Sequence, residues 1–525
     1  MSRTSEGYLP PAQYEAQFSG ASTTPAHRVL AIHLTFAEIS MTLFSPSFPT
    51  GLPIGDSWRA AKTTAPVIFP FDGSRVCDSP VGSTDDANAA LDHALAVRQK
   101  VGALSSYARK ELLARTCAAI TAHRAEFENL LVLETGKPHR DCVVEVARTI
   151  LTLETAAGEV SRLHGETVPL DLLPSGTGMV GFWIRKPIGV IVGITGFNYP
   201  LLLAAHKIAP AIAAGCPIII KPAPQTPLAT LWLIHIMREI AATLDVPQGI
   251  VQLVTGDAVV GATLVSDPRI GAVSFTGSAG VGHAIAKLAA PRKTLLELGS
   301  NSAFIVDESA DIEAAAAAAV RGSYYASGQA CISVQRVIVL ERVADAFIGA
   351  LKKHLAAVVV GDPRNAATHI SALINEASTA RVADWIAQAV TAGAVIAHGG
   401  TLRGGAFEPT VIIEPPTGAL VWNEEIFGPV MCIRTVTDID AAFALVNDSR
   451  YGLHASIFTA SLANTFAALN TLEVGGVVVN EVPGFRSDSM PYGGVKDSGI
   501  GREGPRFAAE EFTVSRMAII RPQVG

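Results

Sequence analysis

This sequence lacks paired cysteines. Its six cysteines, Cys77, Cys117, Cys142, Cys216, Cys331 and Cys432, lie far apart, with no CxxC pair and no His/Cys cluster. That spacing argues against a structural zinc site or a disulfide framework, offers no metal ligand set and suits a reducing cytosol. A basic patch is missing too. The formal net charge is −7, so no nucleic-acid partner is expected. Long uninterrupted apolar runs are also absent. Mean hydropathy is positive, but alanine and glycine explain most of it. The most apolar long stretch, Pro200–Ile220, is broken by His206, Lys207, Pro210 and Pro217. A spanning helix needs roughly 20 largely uninterrupted apolar residues, so no membrane segment is expected. Residues 1–40 carry no sustained period. Val29–Phe36 imitates a short signal core, but it contains His33, precedes Glu38 and has no clear cleavage pattern after it. The segment reads as a poorly ordered extension or as the product of a start codon placed too far upstream. The expected location is cytoplasmic.

The chain is 525 residues long and 49% hydrophobic. That length exceeds what one core supports, so two or three soluble domains are expected. From Thr84 to Ala125 the pattern is helical, with Asp85, Asp86 and Asp92 at its front and Leu112, Leu113, Ala118 and Ile120 on a buried face. Glu126–Thr135 and Val143–Leu163 continue as helix. Glu166–Ile184 is extended and carries Pro169, Pro174, Gly176 and Gly178, which reads as a projecting hairpin. From Pro187 the rhythm becomes strand, turn, helix. Gly189–Ile194, Pro217–Ile220, Ile250–Val254 and Gly271–Phe275 are strands, with helices Pro227–Leu244 and Ala258–Ser266 between them. Buried strands alternating with helices indicate a parallel, doubly wound sheet. A second α/β unit follows. Its helices are Asp311–Tyr325, capped by Asp311, Val343–Ala357 and Asn375–Thr391. Its strands are Val337–Leu340, Ala394–Ala397, Val430–Val436 and Gly476–Val479. No internal repeat is evident.

Four local signals carry chemistry. Ser327-Gly328-Gln329-Ala330-Cys331 puts a cysteine on a small-residue turn between helix and strand. Such a cysteine is either exposed enough to attack or a small buried hydrophobe. Leu295-Leu296-Glu297-Leu298-Gly299 places a carboxylate among leucines. That costs free energy unless the group is paired or protonated, so Glu297 is either a general base with a raised pKa or part of a structural network. Phe275-Thr276-Gly277-Ser278-Ala279-Gly280-Val281-Gly282 follows an apolar strand and opens a helix. Its backbone N–H groups can meet a phosphate, or it is an ordinary tight turn. Ile220-Lys221-Pro222-Ala223-Pro224-Gln225-Thr226-Pro227 ends a buried strand with a lysine at the sheet's carboxyl edge. Thr226 and Pro227 suit the cap and first turn of the next helix.

The joint presence and order of these motifs decide the matter. With Thr195-Gly196-Phe197-Asn198-Tyr199-Pro200, Glu424-Glu425-Ile426-Phe427-Gly428-Pro429 and Tyr492-Gly493-Gly494-Val495-Lys496, the chain resembles the aldehyde dehydrogenase superfamily from about Pro53 to its C-terminus. The resemblance implies an α/β fold. A Rossmann-type cofactor domain would span residues 41–164 and 188–298, with an α/β catalytic domain over 299–498. Residues 165–187 and 507–525 would form a β-arm for oligomerisation, giving a homodimer or homotetramer. Cys331 would be the nucleophile, forming a thiohemiacetal and then a thioester. Asn198 and the Cys331 N–H would hold the oxyanion. Glu297 would activate the hydrolytic water, and Glu503, in Gly501-Arg502-Glu503-Gly504, would relay protons. Lys221 would bond the adenosine ribose, Glu425 the nicotinamide ribose and Ser278 the pyrophosphate of NAD or NADP. Thr195, Phe197, Gly256, Gly277 and Phe427 would line that cleft.

One departure concerns the cofactor. Many NAD-preferring relatives carry glutamate three positions after the lysine, and here that position is Pro224. The missing carboxylate implies that NADP is accepted. The runs Cys331–Arg336 and Met490–Gly499 resemble the branch near lactaldehyde and non-phosphorylating glyceraldehyde-3-phosphate dehydrogenases. That implies a small polar or anionic aldehyde. Tyr199, His206, Ser333, Phe485 and Arg486 would shape the entrance. Arg486 would meet an anionic substrate group or else pair with Asp488. Two other outcomes stand beside this reading: a coenzyme A-acylating dehydrogenase, which Glu297 argues against, and a catalytically silent family member, which Cys331, Glu297 and Asn198 argue against.

Overall fold

A computed structural model describes residues 50–523. The expectations for residues 1–40 lie outside the described residues. Two open sheets organise the rest. The first has six strands in the order Gly499–Ile500, Lys293–Glu297, Ala272–Thr276, Ile191–Ile194, Ile218–Lys221 and Val251–Leu253. All its pairings are parallel except that of Gly499–Ile500, which runs antiparallel to the end of Lys293–Glu297. Taken in chain order, the five parallel strands show the 3-2-1-4-5 arrangement of a dinucleotide-binding sheet, whose ligands sit at the carboxyl edge where the strand order reverses. The second sheet has seven strands in the order Val395–His398, Thr410–Ile413, Val430–Val436, Arg336–Leu340, Ala303–Val306, His454–Phe458 and Gly476–Val479, antiparallel only at Val395–His398. Apolar clusters cover both of its faces, as a parallel sheet requires.

The projecting segment forms a third, three-stranded sheet. Thr513–Ile520 pairs antiparallel with the whole of Val180–Pro187, which pairs in turn with Thr167–Val168. Val180, Ile184, Val514, Met517, Ile519 and Ile520 are exposed on it.

The helices depart from the sequence reading in places. The single helix expected over Thr84–Ala125 is two, Thr84–Gly102 and Ser106–Ala122, because Ser105 caps the second by accepting from the Ala108 N–H at 3.1 Å. The stretch noted only as an interrupted apolar run contains the helix Pro200–Ala214. Thr226 does not cap the helix Leu228–Thr243. Its first amides donate instead to the Glu134 carboxylate, Leu228 N at 2.8 Å and Ala229 N at 3.1 Å. Glu145 does the same for Pro200–Ala214, accepting from Leu201 N and Leu202 N at 2.9 and 3.1 Å. A buried carboxylate is tolerated there because the orphan donors of a helix N-terminus satisfy it.

Candidate active site

The cysteine turn is held under tension. Ala326, Ser327 and Gly328 take φ of 50°, 56° and 73° in succession. Left-handed backbone at a non-glycine residue costs about 1–3 kcal/mol, so the surroundings must impose it. The Ala326 N–H donates to Asp141 at 2.9 Å, the Ser371 N–H donates to the Ser327 hydroxyl at 2.9 Å, and the Ile374 N–H donates to the Gln329 side-chain carbonyl at 3.0 Å. A Cβ at Gly328 would lie 2.1 Å from the Gly428 carbonyl oxygen, so only glycine fits. The turn delivers Cys331 half-buried. Its sulfur lies 3.5 Å from the Tyr492 hydroxyl. Burial, foremost, pushes the thiol up to about 12; the Tyr492 hydrogen bond and Arg486 lower it, while Glu425 and Glu297 raise it.

Asn198 is tied to the same turn. Its Nδ2 donates to the Gln329 carbonyl at 2.8 Å, which leaves its second amide proton free to serve another acceptor. The Asn198 carbonyl accepts from Lys137 Nζ at 2.9 Å, and Lys137 also pairs with Glu145 and lies 3.7 Å from the Tyr199 ring centre. So the lysine fixes Asn198, Tyr199 and, through Glu145, the following helix. Among the described residues the Cys331 N–H has no partner of its own.

Glu297 ends its strand, opposite Thr276 on one side and Gly499 on the other. It is buried, and its Oε2 has no hydrogen-bond partner among the described residues. A Cβ at Gly493 would come within 2.9 Å of its Oε1, so that glycine makes room for the carboxyl. Burial, and then the Glu503 charge, hold Glu297 well above the ordinary carboxylate range against the opposing pull of Arg486, Lys207 and Arg502. Glu503 behaves oppositely. Burial raises it, but His206, Lys207 and Arg486 more than offset this and hold it well below its ordinary value. The two neighbouring carboxyls are thus pushed in opposite directions, Glu297 up and Glu503 down.

Two residues expected at the entrance lie instead in this buried cluster. His206 Nε2 is 3.2 Å from Asp488 Oδ1 and its Nδ1 is 3.0 Å from Glu503 Oε2. The Arg486 side chain is 5% exposed, with Nη2 3.0 Å from Glu503 Oε2 and Nε 3.7 Å from Asp488. The cause is charge balance: Asp488 and Glu503 are themselves buried and hold nearby cations, Arg148 and Lys207 included. The Arg486–Asp488 pairing is therefore present, and Arg486 is not a free anchor at the surface. Of the other entrance residues, Tyr199 and Ser333 are half-buried, and Phe485 is exposed. Tyr492 stood in a quoted motif with no role assigned to it. Lys207, whose Nζ donates to the Thr276 hydroxyl at 2.6 Å, was noted only as breaking an apolar run.

The remaining candidates share the carboxyl edge of the first sheet. Thr195 follows one strand, Lys221 ends the next, Gly256 lies beyond the third, and Gly277 and Ser278 follow Ala272–Thr276. Several of their polar atoms are unengaged. Among the described residues the buried Thr195 hydroxyl has no partner, and the Ser278 side chain makes no bond to the helix Ala279–Ala289 that it precedes. Among the described residues Lys221 has no ion-pair partner, and desolvation, foremost, lowers its pKa, with Asp257 opposing. Unpaired buried donors beside a helix N-terminus fit a phosphate- and hydroxyl-rich dinucleotide. Phe197 and Phe427 meet edge to face at 5.6 Å. Glu425 accepts from the Ser300 N–H at 2.9 Å, and burial pushes its carboxyl up to about 7. Pro224 is exposed just past Lys221.

Comparison with known proteins agrees with this geometry. A profile of the aldehyde dehydrogenase family matches residues 58–518. The 3-sulfolactaldehyde dehydrogenase of Priestia aryabhattai is 37% identical, over 90% of this chain and 98% of the relative. The lactaldehyde dehydrogenase of Methanococcus aeolicus is 35% identical, over 86% of this chain and 96% of that protein. The crystal structure of a glyceraldehyde-3-phosphate dehydrogenase from Methanocaldococcus jannaschii, complexed with NADP, superposes with a TM-score of 0.85 at 33% identity, covering 88% of this chain and all of the other. The two sheets, the strained cysteine turn and the open carboxyl edge are thus those of an NAD(P)-dependent enzyme, and the chain belongs to the aldehyde dehydrogenase family.

Proposed function

We propose that this enzyme oxidises a small polar aldehyde, anionic ones included, to the free carboxylic acid through a thioester on Cys331. The observation that carries the reading is the convergence of three groups. The Cys331 turn, the Asn198 amide bonded to it and the buried Glu297 carboxyl, near enough to Cys331 to raise its pKa, arise from separate segments and converge. The Cys331 thiolate attacks the carbonyl carbon and gives a thiohemiacetal. The oxyanion accepts hydrogen bonds from the second Asn198 amide N–H and the Cys331 backbone N–H, each such donor being worth about 2.7–4 kcal/mol in the barrier. NAD or NADP, when bound, supplies the hydride acceptor. Thr195, Lys221, Gly256, Gly277, Ser278 and Glu425, with Phe197 and Phe427 beside them, are positioned to hold it. Once ionised, Glu297 takes a proton from water, whose oxygen attacks the thioester carbonyl and releases the acid and the Cys331 thiolate. Glu503, bonded to His206 and Arg486, is the partner through which that proton leaves. The relatives named for sulfolactaldehyde and lactaldehyde support a small polar substrate. In this reading residues 41–164 and 188–298 serve the cofactor, 299–498 the nucleophile, and the exposed apolar arm joins subunits of a cytoplasmic homodimer or homotetramer.

An aldehyde panel run with each cofactor, with and without coenzyme A, tests the proposal. Free acid is expected in every case, and an acyl-coenzyme A product would overturn it. In the same panel kcat/KM with NADP is expected to equal or exceed that with NAD, because no carboxylate at Pro224 repels a 2′-phosphate. Pro224→Glu should cut NADP use by about tenfold or more, since a like charge against a phosphate costs at least about 1.4 kcal/mol. A strong NAD preference in the parent enzyme would refute this.

Arg486 separates two roles. Its removal strands buried Glu503 and Asp488, and losing one partner of a buried pair costs about 3–5 kcal/mol. Arg486→Leu is therefore expected to lower Tm by several degrees and to weaken neutral and anionic aldehydes alike. An unchanged Tm with a KM rise confined to anionic aldehydes would show that Arg486 reaches the substrate.

A further inference from the structure

Tyr492 lies on the segment between the buried cation cluster and the antiparallel strand Gly499–Ile500. Its backbone bridges to Glu503, Tyr492 N donating to the Glu503 carbonyl at 3.0 Å and Glu503 N to the Tyr492 carbonyl at 2.6 Å. The ring is 4% exposed. The Arg486 guanidinium lies over its face at 3.9 Å, and the His454 imidazole meets it edge-on at 5.0 Å. The ring packs well without a hydroxyl, yet the hydroxyl is there, buried. Its one hydrogen-bond partner among the described residues is the Cys331 sulfur, 3.5 Å away and 161 positions earlier in the chain. A buried phenolic O–H ordinarily needs a partner, and here the partner is the reacting atom.

We propose that Tyr492 is a further catalytic residue, whose hydroxyl donates a hydrogen bond to the Cys331 sulfur, stabilises the thiolate and holds it in the attacking rotamer. The inference rests on the reading of Cys331 as nucleophile. The direction of the bond follows from the surroundings. A thiolate has no proton to give, so towards the ionised sulfur the phenol, whose pKa burial and then Cys331 push well above its ordinary value, is the donor. The Arg486 cation over the ring draws electron density from it and strengthens the O–H as a donor. Cys331 needs this help, because burial foremost, and then Glu425 and Glu297, disfavour the thiolate, while the Tyr492 hydrogen bond and Arg486 favour it. A hydrogen bond to a charged group is about twice as strong as a neutral one, so the contact gains strength as the thiol ionises.

The test is alkylation of Cys331 by iodoacetamide in the full-length enzyme across a pH series, followed by mass spectrometry of the Cys331 peptide. Tyr492→Phe keeps the ring between Arg486 and His454 and removes only the donor. Glu297, Glu425, Arg486, His454 and the neighbouring Tyr325 are common to parent and variant, so they cancel in the comparison. The expected result is a midpoint about one pH unit higher and alkylation about tenfold slower at neutral pH. Thioester formation should slow with it. An unchanged alkylation profile overturns the proposal. Should Tyr492→Phe not fold, 3-fluorotyrosine at 492 keeps the shape with a more acidic hydroxyl, and it is expected to move the midpoint down; no movement overturns the proposal equally. Retained turnover in Cys331→Ala would instead sink the nucleophile reading itself, so the two failures are distinguishable.

Discussion

Cys331→Ala is expected to lower kcat by on the order of 10⁴-fold or more while leaving the fold and cofactor binding in place. The size follows from the role: removing the nucleophile of a covalent mechanism deletes the step rather than weakening it. Retention of structure follows from the site. Cys331 is half-buried, and what holds the turn is bonded to other residues, Asp141 to Ala326, Ser371 to Ser327 and Asn198 to Gln329. The measurement is steady-state turnover beside a cofactor-binding titration and a melting curve. A loss of less than about tenfold would exclude the thioester route. A collapse of Tm would show that the sulfur serves packing, as buried Cys142, Cys216 and Cys432 do.

Glu297→Gln should separate the two halves of the reaction. A general base typically contributes about 10²–10⁴-fold, so steady-state turnover should fall by that range. The first turnover should persist as a burst of reduced cofactor, because oxidation to the thioester precedes the step that needs the carboxylate. The trapped acyl group should then be visible by mass as an adduct on Cys331. The pH dependence has a definite sign. Glu297 is held above its ordinary value, foremost by burial, and it must lose its proton to act as base. Hydrolysis should therefore accelerate as pH rises through the folded-state pKa and fade as pH drops below it. The variant should lack that limb. Loss of the burst in Glu297→Gln would place the glutamate in the first half of the reaction and overturn the assignment.

These two positions illustrate how unevenly the chain discloses itself. Strands Val430–Val436 and Gly476–Val479 and helix Ala258–Ser266 lie where periodicity alone places them. The buried strand Ile218–Lys221 ends on Lys221 as its motif implies. Local signals sufficed there because strand alternation and helix caps are decided within a few residues. The helices starting at Pro200 and Leu228 show the opposite case. Their caps come from Glu145 and Glu134, the latter 94 positions away from Leu228, and no nearby side chain announces them. The family resemblance implies His206 and Arg486 at an entrance. Both are buried because Asp488 and Glu503, brought beside them by the fold, hold them as counter-charges.

By itself the sequence determined the family, the nucleophile candidate, the base candidate and the carboxyl-edge position of the cofactor groups. Each depends on residue type at a fixed spacing, which the linear chain carries. The tertiary structure alone decided which charges neutralise one another, which carboxyl is pushed up and which down, and which hydroxyl reaches the Cys331 sulfur. Those outcomes depend on desolvation and on distances between segments far apart in the chain, and both exist only after folding.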